Sequence, residues 1–124
     1  MFTGIIRAVG TVANSDMIGD LMRLTVTAPR GFSSGLLGGE SVAVDGVCLT
    51  VVSAEGDELI FDVIQESLTL TTLSEAKTGL ELNLERSLKY GDEVGGHILS
   101  GHISCTGEIV ELVSDDGVHD LRLK

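Results

Sequence analysis

The chain has 124 residues, is 43% hydrophobic and carries a net charge of −11 with an isoelectric point near 4.4. Its Lys and Arg residues are scattered rather than clustered, which argues against nucleic acid or an anionic membrane as partner, since either needs a basic patch to displace counterions. No stretch approaches the ~18 uninterrupted apolar residues of a membrane span, and the length allows one respectable core but hardly two.

Met1-Phe2-Thr3 opens directly into a patterned segment, so neither a signal peptide nor a transit peptide is expected. Strand-like runs then follow at Phe2–Val12, Leu21–Thr27, Ser41–Val44, Val47–Ala54, Glu58–Val63 and Leu80–Leu84, separated by Gly, Asp and Ser. Pro29-Arg30-Gly31 ends the second run, and Gly35 with Gly38-Gly39 loosens the next connection. Asp45-Gly46, between SVAV and VCLTVV, is the strongest hairpin signal, because Asp and Gly tolerate the positive φ of a tight primed turn. Glu55-Gly56-Asp57 makes a slightly longer turn. In the fifth run, Leu59, Phe61 and Val63 alternate with Glu58, Ile60 and Asp62, a pattern suited to a barrel wall. Gly31–Leu37 is a weak helical candidate, and Gln65–Leu73 another, heavy in Thr. Glu85–Gly96 reads as a linker. The expected fold is all-β: a small six-stranded antiparallel barrel with short helices, closed so that no sheet edge is left open.

The last part of the chain repeats its beginning. Residues 98–124 run parallel to residues 1–27 without a gap. Gly4 matches Gly101, Ile6 matches Ile103, Gly10 matches Gly107 and Leu24 matches Leu121. Thr3/Ser100, Val12/Ile109, Leu21/Val118 and Val26/Leu123 are chemical near-matches. A period this long is a whole domain, well beyond the ~20–50 residues of a solenoid unit. The expected organisation is one barrel over residues 1–97 and the first strands of a second, incomplete copy over residues 98–124.

Taken alone, the reactive side chains point to no familiar centre. His97, His102 and His119 have no coherent ligand spacing with a Cys or carboxylate, so no metal is expected. Cys48 and Cys105 show neither CxxC nor zinc-like spacing, the pattern of a cytosolic chain with free thiols. Neither GxSxG nor a local Cys/His pair supports a nucleophilic triad. Mid-strand, Cys48 reads first as a small core hydrophobe. The paired glycines are not phosphate loops, since no Lys-Ser/Thr follows them.

The ensemble of motifs says more. MFTGII, SVAVDGVCLTVV, FDVIQESLTLTTL, LNLERSLKYGDEVGGHILSGHI and the halved duplication together resemble the riboflavin synthases of the lumazine-binding barrel family, across essentially the whole chain. That resemblance implies a six-stranded Greek-key barrel and, in the family, two such barrels plus a C-terminal helix. It implies conversion of two molecules of 6,7-dimethyl-8-ribityllumazine into riboflavin and 5-amino-6-(D-ribitylamino)uracil by four-carbon transfer, with no metal or redox cofactor. It also implies a homo-oligomer, a trimer for the full-length family and a dimer for a chain of this length, in the cytoplasm, with lumazine synthase as an associating protein. The productive site would form where the N-terminal barrel of one subunit faces the C-terminal barrel of another.

Residue by residue, the resemblance places the N-terminal pocket on Gly4, Ile5 and Ile6, on Cys48, Leu49 and Thr50, and on Asp62, Val63, Ile64, Gln65, Glu66 and Ser67. In the second, incomplete copy the matching positions are Gly101, His102 and Ile103, which would belong to a C-terminal pocket needing further strands, while Phe2 and Thr3 shape the site. Main-chain N–H and C=O groups would read the pyrimidinedione edge, and Thr50, Asp62, Gln65, Glu66 and Ser67 would suit a ribityl chain. The chemistry needs deprotonation of the 7-methyl group of one lumazine and attack on C7 of the other, so alignment and proton shuttling dominate. Ser41, Cys48, His97 and His102 are the implied catalytic candidates, His102 being favoured for proton transfer. A non-catalytic lumazine-binding antenna protein is the alternative. A flavin barrel of the ferredoxin-reductase kind would need an Arg-x-Tyr-Ser/Thr signature, which SLKYGDE around Tyr90 does not supply.

Overall fold

The computed structural model describes residues 1–124 and is built around a closed six-stranded antiparallel barrel. Its strands are β1 (Ala8–Ile18), β2 (Leu21–Thr27), β3 (Ser41–Val44), β4 (Val47–Glu55), β5 (Glu58–Val63) and β6 (Glu81–Arg86). Around the wall they run β1-β2-β5-β4-β3-β6, closed by pairing of β1 with β6. The spatial order β6-β3-β4-β5 within that ring is a Greek key, three hairpin-connected strands with the fourth returning beside the first. The Asp45-Gly46 turn forms as the sequence predicts, both residues at positive φ (48° and 81°).

Strand periodicity fills the interior. Met22, Leu24 and Val26 of β2 and Leu59, Phe61 and Val63 of β5 point inward, as do Val47, Leu49 and Val51 of β4. Val12, Val42, Val44, Leu82 and Leu84 complete the wall's inner face. Leu36, Leu68, Leu73 and Ala76, from the connections, pack against the same core.

Several boundaries differ from the sequence reading. Residues 2–7 lie outside the barrel ladder, and β1 runs instead from Ala8 to Ile18. The cause is polar: Glu85 captures Thr3 and Gly4, and Gly4 turns the chain at φ 81°. At its other end, β1 continues pairing with β2 up to the Ile18–Leu21 turn. Next, β6 extends through Arg86, so the start of the expected linker is strand. Finally, the predicted Gln65–Leu73 helix splits into α1 (Gln65–Leu70) and a 3₁₀ turn over Thr72–Glu75. Thr71 breaks it: extended at φ −132°, its hydroxyl donates to Ser67 O and accepts from Leu73 N–H. Gly31–Leu37 forms turns, not a helix.

Beyond the barrel, β7 (Ile109–Asp115) and β8 (Val118–Leu123) form a separate exposed hairpin. Its register reproduces that of β1 and β2 pair for pair. Val12↔Val26 corresponds to Ile109↔Leu123, and Ile18↔Leu21 to Asp115↔Val118. Even the bulge recurs, between Val12 and Asn14 and between Ile109 and Glu111. No helix of the chain is long and apolar enough to cross a membrane.

Candidate ligand-binding site

Strand alternation presents Cys48 away from the core, between inward-facing Val47 and Leu49. Over it lies the segment Gly101-His102-Ile103, tied down by a hydrogen bond from Cys48 N–H to Gly101 O at 2.8 Å. Gly101 has φ 80°, and a Cβ there would come 2.8 Å from the Cys48 Cβ and 3.1 Å from the Phe2 ring. Only glycine combines that backbone with that approach. Ile103 packs against the barrel core.

Opposite this segment stands α1. Ile64, at its N-terminal boundary, Glu66, Ser67, Leu70 and the following Thr71 face Cys48 and Gly101-His102-Ile103 across a cavity of about 340 Å³. That volume sits at the low end of the ~300–1,000 Å³ of small-molecule sites, room for one flat heterocycle. Half the lining is apolar. No Lys or Arg lines it, and Glu66 is its one carboxylate.

Of the expected site residues, the structure therefore brings together Cys48, Ile64, Glu66, Ser67, Gly101, His102 and Ile103. The others lie elsewhere. Leu49 and Val63 are buried in the core, supporting the wall from inside. Thr50 is exposed on β4 opposite Ser41 of β3, and Ser41 lines a small separate depression with Arg86 and Lys89. Gln65 lies in a shallow hollow beside Asp20 and Leu21. Asp62 is held by Arg23 across β2 and β5 through two hydrogen bonds of 2.8 and 2.9 Å. Hydrogen bonding from that guanidinium keeps the Asp62 carboxyl below its ordinary range, and the same bond raises Arg23.

The GII segment also departs from its expected place. Gly4, Ile5 and Ile6 do not line the Cys48 cavity; the aligned Gly101-His102-Ile103, expected at the second copy's own pocket, does. The two segments share a local geometry: Ile5 N–H donates to Thr3 Oγ1 and His102 N–H to Ser100 Oγ, both at 3.1 Å. Ile5 and Ile6 are left exposed. Phe2 is buried behind Gly101, and His97 stands outside the cavity, exposed, its N–H donating to Thr3 O at 3.0 Å. Residue-by-residue reading missed Val47, Leu70 and Thr71. Leu70 and Thr71 follow Glu66 and Ser67 at i+4, so helical spacing from those two residues would have found them.

Residues 3–87 match the family described as "Lumazine binding domain". The chain belongs to that family. Among curated relatives of this lumazine-binding domain chain, riboflavin synthase of Chlamydia pneumoniae is 46% identical over 109 residues, covering 88% of this chain and 54% of that protein. Riboflavin synthase of Escherichia coli (strain K12) is 36% identical over 124 residues, all of this chain and 58% of that protein. The chain thus spans little more than half the length of these relatives. In fold, it is similar to LumP complexed with riboflavin (TM-score 0.82, 28% identity, 94% of this chain and 62% of that one). It is similarly close to LumP complexed with 6,7-dimethyl-8-(1'-D-ribityl) lumazine (TM-score 0.80, 28% identity, 94% and 61%).

Proposed function

We propose that this chain is the N-terminal, ligand-binding part of a riboflavin synthase. It would hold one 6,7-dimethyl-8-ribityllumazine or riboflavin in the cavity between Cys48, α1 and Gly101-His102-Ile103. One observation carries the proposal: that single cavity gathers the most chemically distinctive expected residues, Cys48, Glu66, Ser67 and His102, in a chain of the lumazine-binding family. Its makeup suits the ligand. Apolar Val47, Ile64, Leu70 and Ile103 offer faces for a flat ring, and Glu66, Ser67, Thr71 and His102 offer partners for a polyol.

The reaction transfers four carbons between two lumazines, so a cavity for one ring needs a second pocket facing it. Residues 98–124 are proposed to begin a second lumazine-binding repeat, supported by the shared register of the two hairpins. In the assembled enzyme the partner pocket would come from another copy. Within the cavity, His102 is the candidate for moving the 7-methyl proton and Cys48 for positioning the attacking group. Ser41 and His97 have no role at this cavity. The 124-residue chain is therefore expected to bind and to turn over slowly.

A second reading is a non-catalytic binding protein, favoured by the likeness to LumP. Fluorescence titration with riboflavin, paired with a lumazine turnover assay, tests both. Quenching with micromolar or tighter affinity supports the site, and no binding sinks it. Turnover by the chain extended to a relative's full length separates the enzyme from the antenna.

A further inference from the structure

Glu85, at the end of β6, is 5% exposed and lies outside the cavity, yet its carboxylate accepts three hydrogen bonds. Thr3 N–H and Thr3 Oγ1 each donate to Oε1 at 2.6 Å, and Gly4 N–H donates to Oε2 at 3.0 Å. Charge-assisted bonds to a buried carboxylate are among the stronger ones a fold can make. Here they fix residues that belong to no barrel strand.

The consequence passes along the main chain. Phe2 exchanges both its hydrogen bonds with Leu99, at 2.8 and 2.9 Å, and Thr3 O accepts from His97 N–H at 3.0 Å. Gly96 is packed so tightly against Thr3 O that no Cβ would fit between them. The strip 96–99 is thus laid against 2–3, and two residues later the chain reaches Gly101 and the Cys48 bond.

We propose that Glu85 is a positioning residue for the ligand cavity, acting through Thr3, Phe2 and Leu99 to set Gly101-His102-Ile103 over Cys48. This rests on the ligand reading above for its functional consequence but not for its structural one. Glu85→Gln offers an amide N–H₂ where Gly4 N–H or the Thr3 donors require an acceptor, so two donors meet and the clamp loosens.

Amide hydrogen exchange on the ligand-free chain reads the clamp directly. In Glu85→Gln, protection at Leu99, His97 and Cys48 N–H should fall at least tenfold, whereas Ala28 N–H, bonded to Asp57 O just past the end of the β2–β5 ladder, should be unchanged. Riboflavin affinity should weaken about tenfold, as loss of a hydrogen bond to a charged group implies. If Glu85→Gln does not fold, Thr3→Val removes the hydroxyl bond and Thr3→Ser restores it, and the same amides are read in that pair. Unchanged protection at Leu99 and Cys48 overturns the proposal, as does an equal loss at Ala28, which would make Glu85 a general prop. Wild-type chain that ignores riboflavin sinks the ligand reading alone, since the exchange pattern still decides the clamp.

Discussion

Phe2 and Leu99 exchange both of their main-chain hydrogen bonds, N–H of each to C=O of the other, at 2.8 and 2.9 Å. They occupy aligned positions in the two parallel segments of the sequence. A reciprocal pair of equivalent residues is the contact that a local two-fold axis produces. Each segment then turns at a glycine of the same φ, 81° at Gly4 and 80° at Gly101. Past the turn, one segment covers the Cys48 cavity, while in the other Ile5 lies beside Gly95 and Gly96 and both Ile5 and Ile6 stay exposed. Gly101 is thus the turn that carries the covering segment over Cys48.

Replacing Gly101 by Ala should therefore cost more than strain. Gly117 has the same φ of 80°, and a methyl group added there would meet nothing within 4 Å, so Gly117→Ala measures the backbone penalty alone, about 1–2 kcal/mol. Gly101→Ala adds the clash with Cys48 and Phe2. Riboflavin titration should show affinity lost by more than tenfold in Gly101→Ala and unchanged in Gly117→Ala. Equal behaviour of the two would separate the segment from the site.

The cavity's charge predicts a preference among flavins. With Glu66 present and no Lys or Arg in the lining, a phosphate on the ribityl chain meets repulsion without a counter-charge. Riboflavin should bind roughly tenfold more tightly than flavin mononucleotide at low salt, a gap of about 1.4 kcal/mol. Glu66→Gln should narrow that gap, and added salt should narrow it in the wild type. Parallel fluorescence titrations with the two flavins check this; equal affinities at low salt would place the ribityl end away from Glu66.

Phe61 is fully buried at the centre of β5, among Leu24, Leu59 and Val51 of the same core. Phe61→Ala should destabilise by about 3–5 kcal/mol through lost burial and the cavity left behind. The check is the urea midpoint. A loss below about 1 kcal/mol would mean that the barrel interior relaxes freely around the missing ring.

Alternation and turn chemistry made the barrel legible: Leu59, Phe61 and Val63 face inward, and Asp45-Gly46 turns where expected. Those signals are local, set by neighbours two residues apart or fewer. What escaped is non-local. Nothing near Thr3 announces that Glu85, distant in sequence, will pull residues 2–4 off the barrel, or that Arg23 will occupy Asp62. The site followed the same rule. Cys48, Glu66 and Ser67 came from motifs, but which glycine-turn segment would lie over them depended on a long-range choice between two aligned segments that share the Gly-x-Ile turn. Pattern cannot break that tie; the hydrogen bond from Cys48 N–H to Gly101 O does.

The Arg23–Asp62 pair gives the fold an acid-sensitive element. Hydrogen bonding from Arg23 depresses the Asp62 pKa in the folded chain, whereas unfolded Asp titrates near about 3.9. A depressed folded pKa means that the unfolded state binds protons first as pH falls. The pair's contribution is therefore fully present above that unfolded value and is lost as pH drops through the folded one. Both side chains are partly exposed, so the effect is small and weakens with salt. Urea midpoints of wild type and Asp62→Asn should differ most at about pH 6–7 and converge as the pH falls below the unfolded value and through the depressed folded one. Arg23→Ala should show the same convergence, and a difference independent of pH would mean that packing, not the ion pair, carries the contact.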